Sequence, residues 1–423
     1  MEESHNEEIK HLFSINSNSI SLTSAFFKAT NTDKSIISLD ENLDIKILFH
    51  QKIDTPTNIS GIPSHFDIFK NKIEILVENA QQATSSKIAE ATVLLSSGHF
   101  LYQSFSEKVE LKSGIVRETD IKKLVQQALS TKHSKPYHLG FFYPCFFSLD
   151  HFQKIDNPVG LIGKHLTLNG MTVNLGSDVA NNLTEAFSNT QIHLNEFLCK
   201  GLVSSIETTS SDERNLGIVS VYMGHRTTVV SVHMGLLPVF QKCYSFGGNH
   251  LTNDLFVGLR TPMSSAENLK KEIGNLCYLT NELSHAVEIE SSHGQGYALS
   301  SKGRIQQILM PRFQEMMEII KADLKNMKLL HRLNCGMVLT GGGARLQGAT
   351  QFAEIQTGLS CRLGYPKSFS GLKEGLTNTN STSIIGAFRL QKMMENHQAK
   401  QKEVEIDSGW FGALKSRMAE LFQ

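Results

Sequence analysis

Apolar and polar positions alternate over two short runs between Leu12 and Lys28, on either side of the polar segment NSNS. This predicts a strand, a turn and a second strand. Residues 45–50 read as a third strand. Over residues 71–84 the spacing becomes helical, with Ile73, Leu76, Val77 and Ala80 on one face. Residues 91–96 are again strand-like, so the opening segment has an α/β pattern. The texture changes between His99 and Val173. Alternating runs at 100–105 and 165–173 surround one helix, started by Thr119 and Asp120, with Ile121, Leu124, Val125 and Ala128 as its apolar face. This is the pattern of a small α+β module inserted into the first domain. Helical spacing resumes over 177–187, and residues 212–215 read as a polar turn at a boundary.

From Gly217 the opening pattern recurs in IVSVYMGHRTTVVSVHMG, which predicts a duplicated fold. Helices are expected over 264–274 and 305–329, the second starting near Ser300 or Ser301 and kinked or broken at Pro311. The stretch MVLTGGGARLQG (337–348) then places three glycines between a buried strand and a helix whose apolar positions are Ala349, Phe352, Ala353 and Ile355. Gly341, Gly342 and Gly343 are expected to take positive φ and to leave N–H groups pointing at a ligand above the turn. A plain strand-to-helix connection is the alternative. A last helix is expected to end near Met394, with the polar, charged residues 393–408 as a flexible linker.

At 423 residues the chain is too long for one compact core. Lys plus Arg and Asp plus Glu both total 41, so no global field steers it to nucleic acid. Its six cysteines form no C-x-x-C pair, which argues against a zinc or disulfide framework and for a reducing compartment. MEESHNEEIK is acidic and unlike a secretory signal. No apolar run approaches the roughly 18 residues of a membrane span.

GGNHLTNDLFVGLRTP (247–262), AENLKKEIG (266–274), MPRFQEM (310–316), VLTGGGARLQG and RLGYP (362–366) together resemble FtsA, an actin-like bacterial cell-division family. In the inserted module, SGIVRETDIKKLVQQA (113–128) and DNPVG (156–160) fit the same family. The resemblance implies an α/β, actin-like fold with ribonuclease H-like duplicated halves and an SHS2-type insertion. On that plan residues 1–97 and 177–204 form subdomain 1A, 98–176 the inserted 1C, 205–247 and 323–392 subdomain 2A, and 248–322 subdomain 2B. Residues 393–408 are the linker, and 409–423 an amphipathic membrane-targeting helix.

Family members bind ATP between the two halves. Their first phosphate turn, D-I-G-T-S-K, is here Ser14, Ile15, Asn16, Ser17, Asn18 and Ser19, without the acid, the glycine or the lysine. The second, D-I-G-G-G-T-T-D, is Tyr222 through Val229, of which only Gly224, Thr227 and Thr228 match. Aspartates in such turns hold Mg²⁺ through water and orient the attacking water, which Ser14, Tyr222 and Val229 cannot do. His225 and Arg226 would cost about 1 kcal/mol each if their φ were positive, and Arg226 is a candidate phosphate contact. On the nucleoside side Gly341, Gly342, Gly343 and Ala344 match, as do Glu267 and Lys270, whose counterparts reach the ribose. The expectation is weak or no ATP binding, no metal site and no hydrolysis, hence no enzyme.

The tail SGWFGALKSRMAELFQ carries the only tryptophan. Projected at about 100° per residue, Trp410, Phe411, Leu414, Met418, Leu421 and Phe422 share an arc of roughly 120°, with Lys415 and Arg417 at its borders. Six large apolar groups flanked by cations are the pattern of a helix lying in an anionic headgroup plane. Docking on the protein's own core is the alternative. Asn253 and Arg312 match the surface with which the family receives the C-terminal peptide of FtsZ, the tubulin-like ring protein. The function implied is a peripheral protein on the cytoplasmic face of the inner membrane at the division site. It would self-associate, anchor FtsZ filaments and help recruit later division proteins. The competing readings are an active actin-like ATPase whose cycle drives assembly, and an actin-like scaffold for a pilus or secretion machine.

Overall fold

The computed structural model describes residues 9–16, 19–27, 45–55, 65–95, 98, 100–132, 137–155, 157–235, 238–277, 279–291 and 296–403. The expected lipid anchor at 409–423 lies outside them. The first half begins with β1 (Ile9–Ile15), β2 (Ser19–Phe27), β3 (Ile45–Asp54), α1 (Phe66–Thr84) and β4 (Glu90–Leu95). The inserted module follows as β5 (Phe100–Glu110), α2 (Glu118–Lys132), β6 (Tyr137–Leu149), β7 (Phe152–Ile155) and β8 (His165–Gly176). The first half closes with α3 (Ser177–Phe187), β9 (His193–Cys199), α4 (Lys200–Thr208) and α5 (Ser211–Leu216).

The second half runs through β10 (Ile218–Met223), β11 (Thr228–His233), β12 (Pro238–Tyr244), α6 (Gly248–Leu259) and α7 (Met263–Glu272). Next come the hairpin β13 (Ala286–Glu290) and β14 (Tyr297–Ser301), α8 (Lys302–Asn326), β15 (Met337–Thr340), α9 (Ala349–Thr357) and β16 (Cys361–Leu363). The chain then returns to the first half through β17 (Ser370–Gly371) and α10 (Thr382–Glu403).

The two main sheets share one topology. β3-β2-β1-β4-β9 and β12-β11-β10-β15-β16 each consist of an antiparallel meander followed by two parallel strands. β17 adds to the β3 edge. One apolar core fills the first half, a second the second half, and a third lies inside the module. Tyr222 and Val229 belong to the first of these cores although they lie on strands of the second sheet. α4 and α10 are therefore packed between the two halves, and α4 touches β10, β11 and β15 as well as α10.

Four expectations are corrected. Residues 212–215 are not a turn but part of α5, whose start is a capping box between Ser210 and Glu213. The Arg214 guanidinium, fully buried, donates to the carbonyls of Thr209 and Ile206 at the end of α4. α8 runs unbroken through Pro311, because a buried stripe on both sides of it (Ile305, Leu309, Phe313, Met316, Ile320) holds the helix against the second core. Its start is at Ser301, whose hydroxyl accepts from the Arg304 N–H. Ile355 is 72% exposed, so the buried face of α9 is Ala349, Phe352 and Ala353. Finally, residues 393–403 extend α10 to Glu403 and are not linker.

Candidate functional site

Three turns converge where the halves meet. The first joins β1 to β2, with Asn16 N–H donating to the Ser19 carbonyl at 2.8 Å and Asn16 Nδ2 to Ser19 Oγ at 3.1 Å. Ser14 and Ser19 are buried. The turn also accepts a ligand from its own chain. Lys200 Nζ, fully buried, donates to the Ile15 carbonyl at 2.6 Å and to Asn16 Oδ1 at 2.7 Å. Burial pulls the Lys200 amine down to about 7; Cys199 opposes the shift and Lys52 adds to it. The sequence reading missed Lys200. The signal was there: one charged residue in the apolar run FLCKGLVSSI, at a helix start.

Since Lys200 has an ordinary value near 10.5 in the unfolded chain, the unfolded state keeps a proton that the folded state releases as pH rises above about 7. Stability therefore increases with pH over that window. Relative to Lys200→Met, the native chain is expected to gain up to about 1.4 kcal/mol per pH unit between about pH 7 and 9. Urea midpoints across the window measure it, and a flat difference contradicts the burial argument.

The second turn joins β10 to β11, closed by Gly224 N–H to the Thr227 carbonyl at 2.8 Å. Neither His225 nor Arg226 has positive φ, so the strain expected of them does not arise. The turn's outward carbonyls are already engaged, Gly224 accepting from Gly248 N–H at 3.0 Å and His225 from Asn249 N–H at 2.6 Å, both at the start of α6. Thr228 Oγ1 donates to the Phe246 carbonyl. Arg226 is half-buried, and its Nε is enclosed without a partner. Burial holds the His225 imidazole below its usual range, with Glu267 opposing.

Where an acid would hold a metal, Tyr222 is buried, bonded with Ser383, and its hydroxyl is pushed up to about 12 by burial. Where a second acid would orient water, Val229 meets the start of α4. A Cβ on Gly201 would lie 2.3 Å from Val229 Cβ, so only glycine permits this approach. The first two residues of α4 thus engage both hairpins: Lys200 the first, Gly201 the second.

The third turn follows β15. Only Gly341 takes positive φ, at 84°, and its N–H is used, donating to the Thr379 carbonyl at 3.1 Å. Thr379 Oγ1 returns a bond to the Gly341 carbonyl at 2.8 Å. Gly342 has φ −66° and lies beside Asn380, while Gly343 lies against the Met223 side chain and Ala344 is buried. The expectation of three positive-φ glycines is corrected: only Gly341 has one, its N–H is engaged, and a Cβ at Gly341 or Gly343 would collide with Met223.

Glu267 and Lys270 do reach this region, near Gly248 and Gly343. Lys270 Nζ donates to Glu267 Oε2 at 2.6 Å, Thr252 Oγ1 at 2.7 Å and the Gly248 carbonyl at 3.0 Å, which occupies all three of its N–H groups. Burial lowers its pKa against the pull of Glu267. Burial works to raise the Glu267 carboxyl, yet the bonds from Lys270 and Thr252 outweigh it and hold it below the usual range. Structure thus brings Gly224, Gly248, Glu267, Lys270 and Gly343 together, as a network already closed on itself. At the first turn Lys200 is bonded to Ile15 and Asn16, and at the second the side chains of Tyr222 and Val229, neither of them a carboxylate, are buried in the core between the halves.

Asn253 and Arg312 lie elsewhere, on α6 and α8. Asn253 is exposed. The Arg312 guanidinium clasps Asp254 with two bonds, of 2.7 and 3.1 Å, and reaches Glu315 at 2.5 Å, while staying 34% exposed.

Duplicated α/β halves that share two central helices, with an α+β module replacing part of the first, define an actin-like protein. Solved structures of that architecture agree over nearly the whole chain. The PilM-PilN type IV pilus biogenesis complex matches with a TM-score of 0.61 at 13% identity, covering 92% of this chain and 98% of that one. MreB 5 of Spiroplasma citri bound to AMPPNP gives 0.53 at 13% identity, covering 93% and 99%. Sequence then narrows the class. The profile described as cell division protein FtsA matches residues 219–386, and the SHS2 domain inserted in FtsA matches 98–173. Cell division protein FtsA of Escherichia coli K12 is 25% identical over 342 residues, covering 79% of this chain and 80% of its own. That of Neisseria meningitidis serogroup B is 23% identical over 358 residues, covering 84% and 86%. The chain belongs to the FtsA family.

Proposed function

We propose that this chain is a non-hydrolysing tether of the cell-division apparatus. Family membership gives it a role in cell division. Its actin-like body receives the C-terminal peptide of FtsZ at the α6–α8 surface, and residues 409–423 attach the body to the cytoplasmic face of the membrane. Self-association and recruitment of later division proteins complete the role. The observation that carries the non-enzymatic part is that Lys200 is bonded into the first turn, while Tyr222 and Val229 stand buried where the family carries acids in the second. Among the described residues no helix is long and apolar enough to cross a membrane, so attachment through a surface helix is the mode this reading requires.

The test is reconstitution. Filaments of the FtsZ from the same cell should float with anionic vesicles only when this chain is present, and filaments that stay in the lower fraction with it present would sink the tether. At the peptide surface, any acidic group must share Arg312 with Asp254 and Glu315. Arg312→Glu should weaken a labelled FtsZ-tail peptide by about tenfold or more in fluorescence polarisation. An unchanged affinity would place the peptide elsewhere.

The rival reading is an active actin-like ATPase. Its support is the third turn, where Gly341 through Ala344 match the family. That match is equally explained by packing against Met223 and by the Thr379 bonds.

A further inference from the structure

We infer that Lys200 is a built-in ligand of the first turn: its amine occupies an ammonium-binding site from inside the protein and ties the β1–β2 hairpin to the start of α4. The hairpin then holds its place with nothing bound in the cleft. This inference rests on the nucleotide-independent reading above and names the group responsible for it.

The position is a costly one for a lysine. A lysine normally extends its ammonium to water along an apolar stem. Lys200 does not, its residue being 0% exposed. Among the described residues no carboxylate pairs with it; its chain neighbour Cys199 favours the charged form, and the cation Lys52 disfavours it. It is also the first residue of α4, the end of a helix where the backbone dipole disfavours a cation. Burial, a like charge and the wrong helix end all work against a lysine here.

What offsets them is local and specific. Two short bonds run from Nζ to the Ile15 carbonyl and to Asn16 Oδ1, across 185 and 184 residues of sequence. Ile15 is the last residue of β1, so its carbonyl faces the turn. Asn16 in turn fixes Ser19 through both its backbone N–H and its side-chain amide. The chain of bonds therefore reads α4, Lys200, Asn16, Ser19, β2. One residue on, Gly201 seats α4 on Val229 of the other half. A single helix end thereby fixes both hairpins, and removing the amine should release only the first.

Amide hydrogen exchange on the full chain, without nucleotide, tests this. Lys200→Met keeps most of the side-chain volume and removes the donors. It should speed exchange at the Asn16 amide by at least about tenfold while Phe313 and Ile320 in α8 keep their native rates. In Lys200→Ala, 1-propylammonium, which matches the deleted atoms, should restore slow exchange at Asn16. Tetramethylammonium, a cation without N–H donors, should not. Unchanged exchange at Asn16 in Lys200→Met would overturn the proposal. So would equal acceleration in α8, which would make Lys200 a general packing residue, and so would rescue by both cations or by neither. Adding Mg²⁺ and ATP to the native chain reports on the underlying reading instead. Slower exchange at the turns in that arm counts against nucleotide independence, whereas the Lys200 arms, measured without nucleotide, decide the tie.

Discussion

Truncating Arg389 to alanine is expected to cost the fold about 3–5 kcal/mol, the usual penalty for orphaning one member of a buried ion pair. Arg389 and Glu207 are 2% and 0% exposed, with Nε to Oε2 at 2.7 Å, and they join α10 to α4 between the two halves. The other Glu207 oxygen accepts from the Lys367 N–H at 2.6 Å. Burial already raises the Glu207 carboxyl, and the Arg389 charge and bonds hold the rise in check. Without Arg389 the folded-state value climbs further above the unfolded one. A group raised in this way stabilises at low pH and loses that contribution as pH rises through the folded value. The loss in Arg389→Ala should accordingly be largest near neutrality and smaller near about pH 5. Replacing both partners, as Arg389→Met with Glu207→Leu, should recover most of the stability, since an apolar pair has no charge to strand. Urea midpoints of the three chains at two pH values decide it. A double variant no better than Arg389→Ala would place the cost in packing, with the charge irrelevant.

A second large effect is expected at the other end of the chain. Trp410→Glu with Phe411→Glu puts two carboxylates into the apolar arc of residues 409–423 and should abolish flotation with anionic vesicles. Each fully buried large side chain contributes about 1.5–3 kcal/mol, so on the proposed anchoring even partial burial of six would sustain reversible attachment. Losing two of them and adding like charge to an anionic surface removes that margin. Lys415→Glu with Arg417→Glu should weaken flotation less, and more at low ionic strength than at high. If the glutamate pair at 410 and 411 still floats, the membrane contact lies elsewhere on the protein.

Much of the scaffold could be read from periodicity. The two hairpins, the helix faces at Ile73 and Ile121, and the duplication all followed from apolar spacing, because each of these elements buries one clear face. The failures have local causes. β6 escaped notice since Gly140 and Pro144 interrupt its alternation, and the strand answers with register shifts around Phe141 and Phe146. α5 looked like a turn because Ser210 and Glu213 are polar, although S-x-x-E is itself a helix-start signal. Pro311 suggested a break that tertiary packing overrides.

At the site, the lost acids were legible and their consequences were not. Ser14, Tyr222 and Val229 stand where the family carries aspartates, but the pattern gives no sign of what packs there instead. That Lys200 would reach back to Asn16 depends on where α4 lies relative to β1, a contact across 184 residues. Nor could spacing tell that Lys270 would saturate its three donors on Glu267, Thr252 and Gly248, or that Arg312 would be clasped by Asp254. These are outcomes of tertiary placement.

Equilibrium titration of the native full chain with ATP in the presence of Mg²⁺ tests most directly the proposal that the body works by binding alone. The prediction is no saturable heat and no phosphate release above the protein-free rate. Stoichiometric binding accompanied by turnover would contradict it and reinstate an ATP-driven cycle.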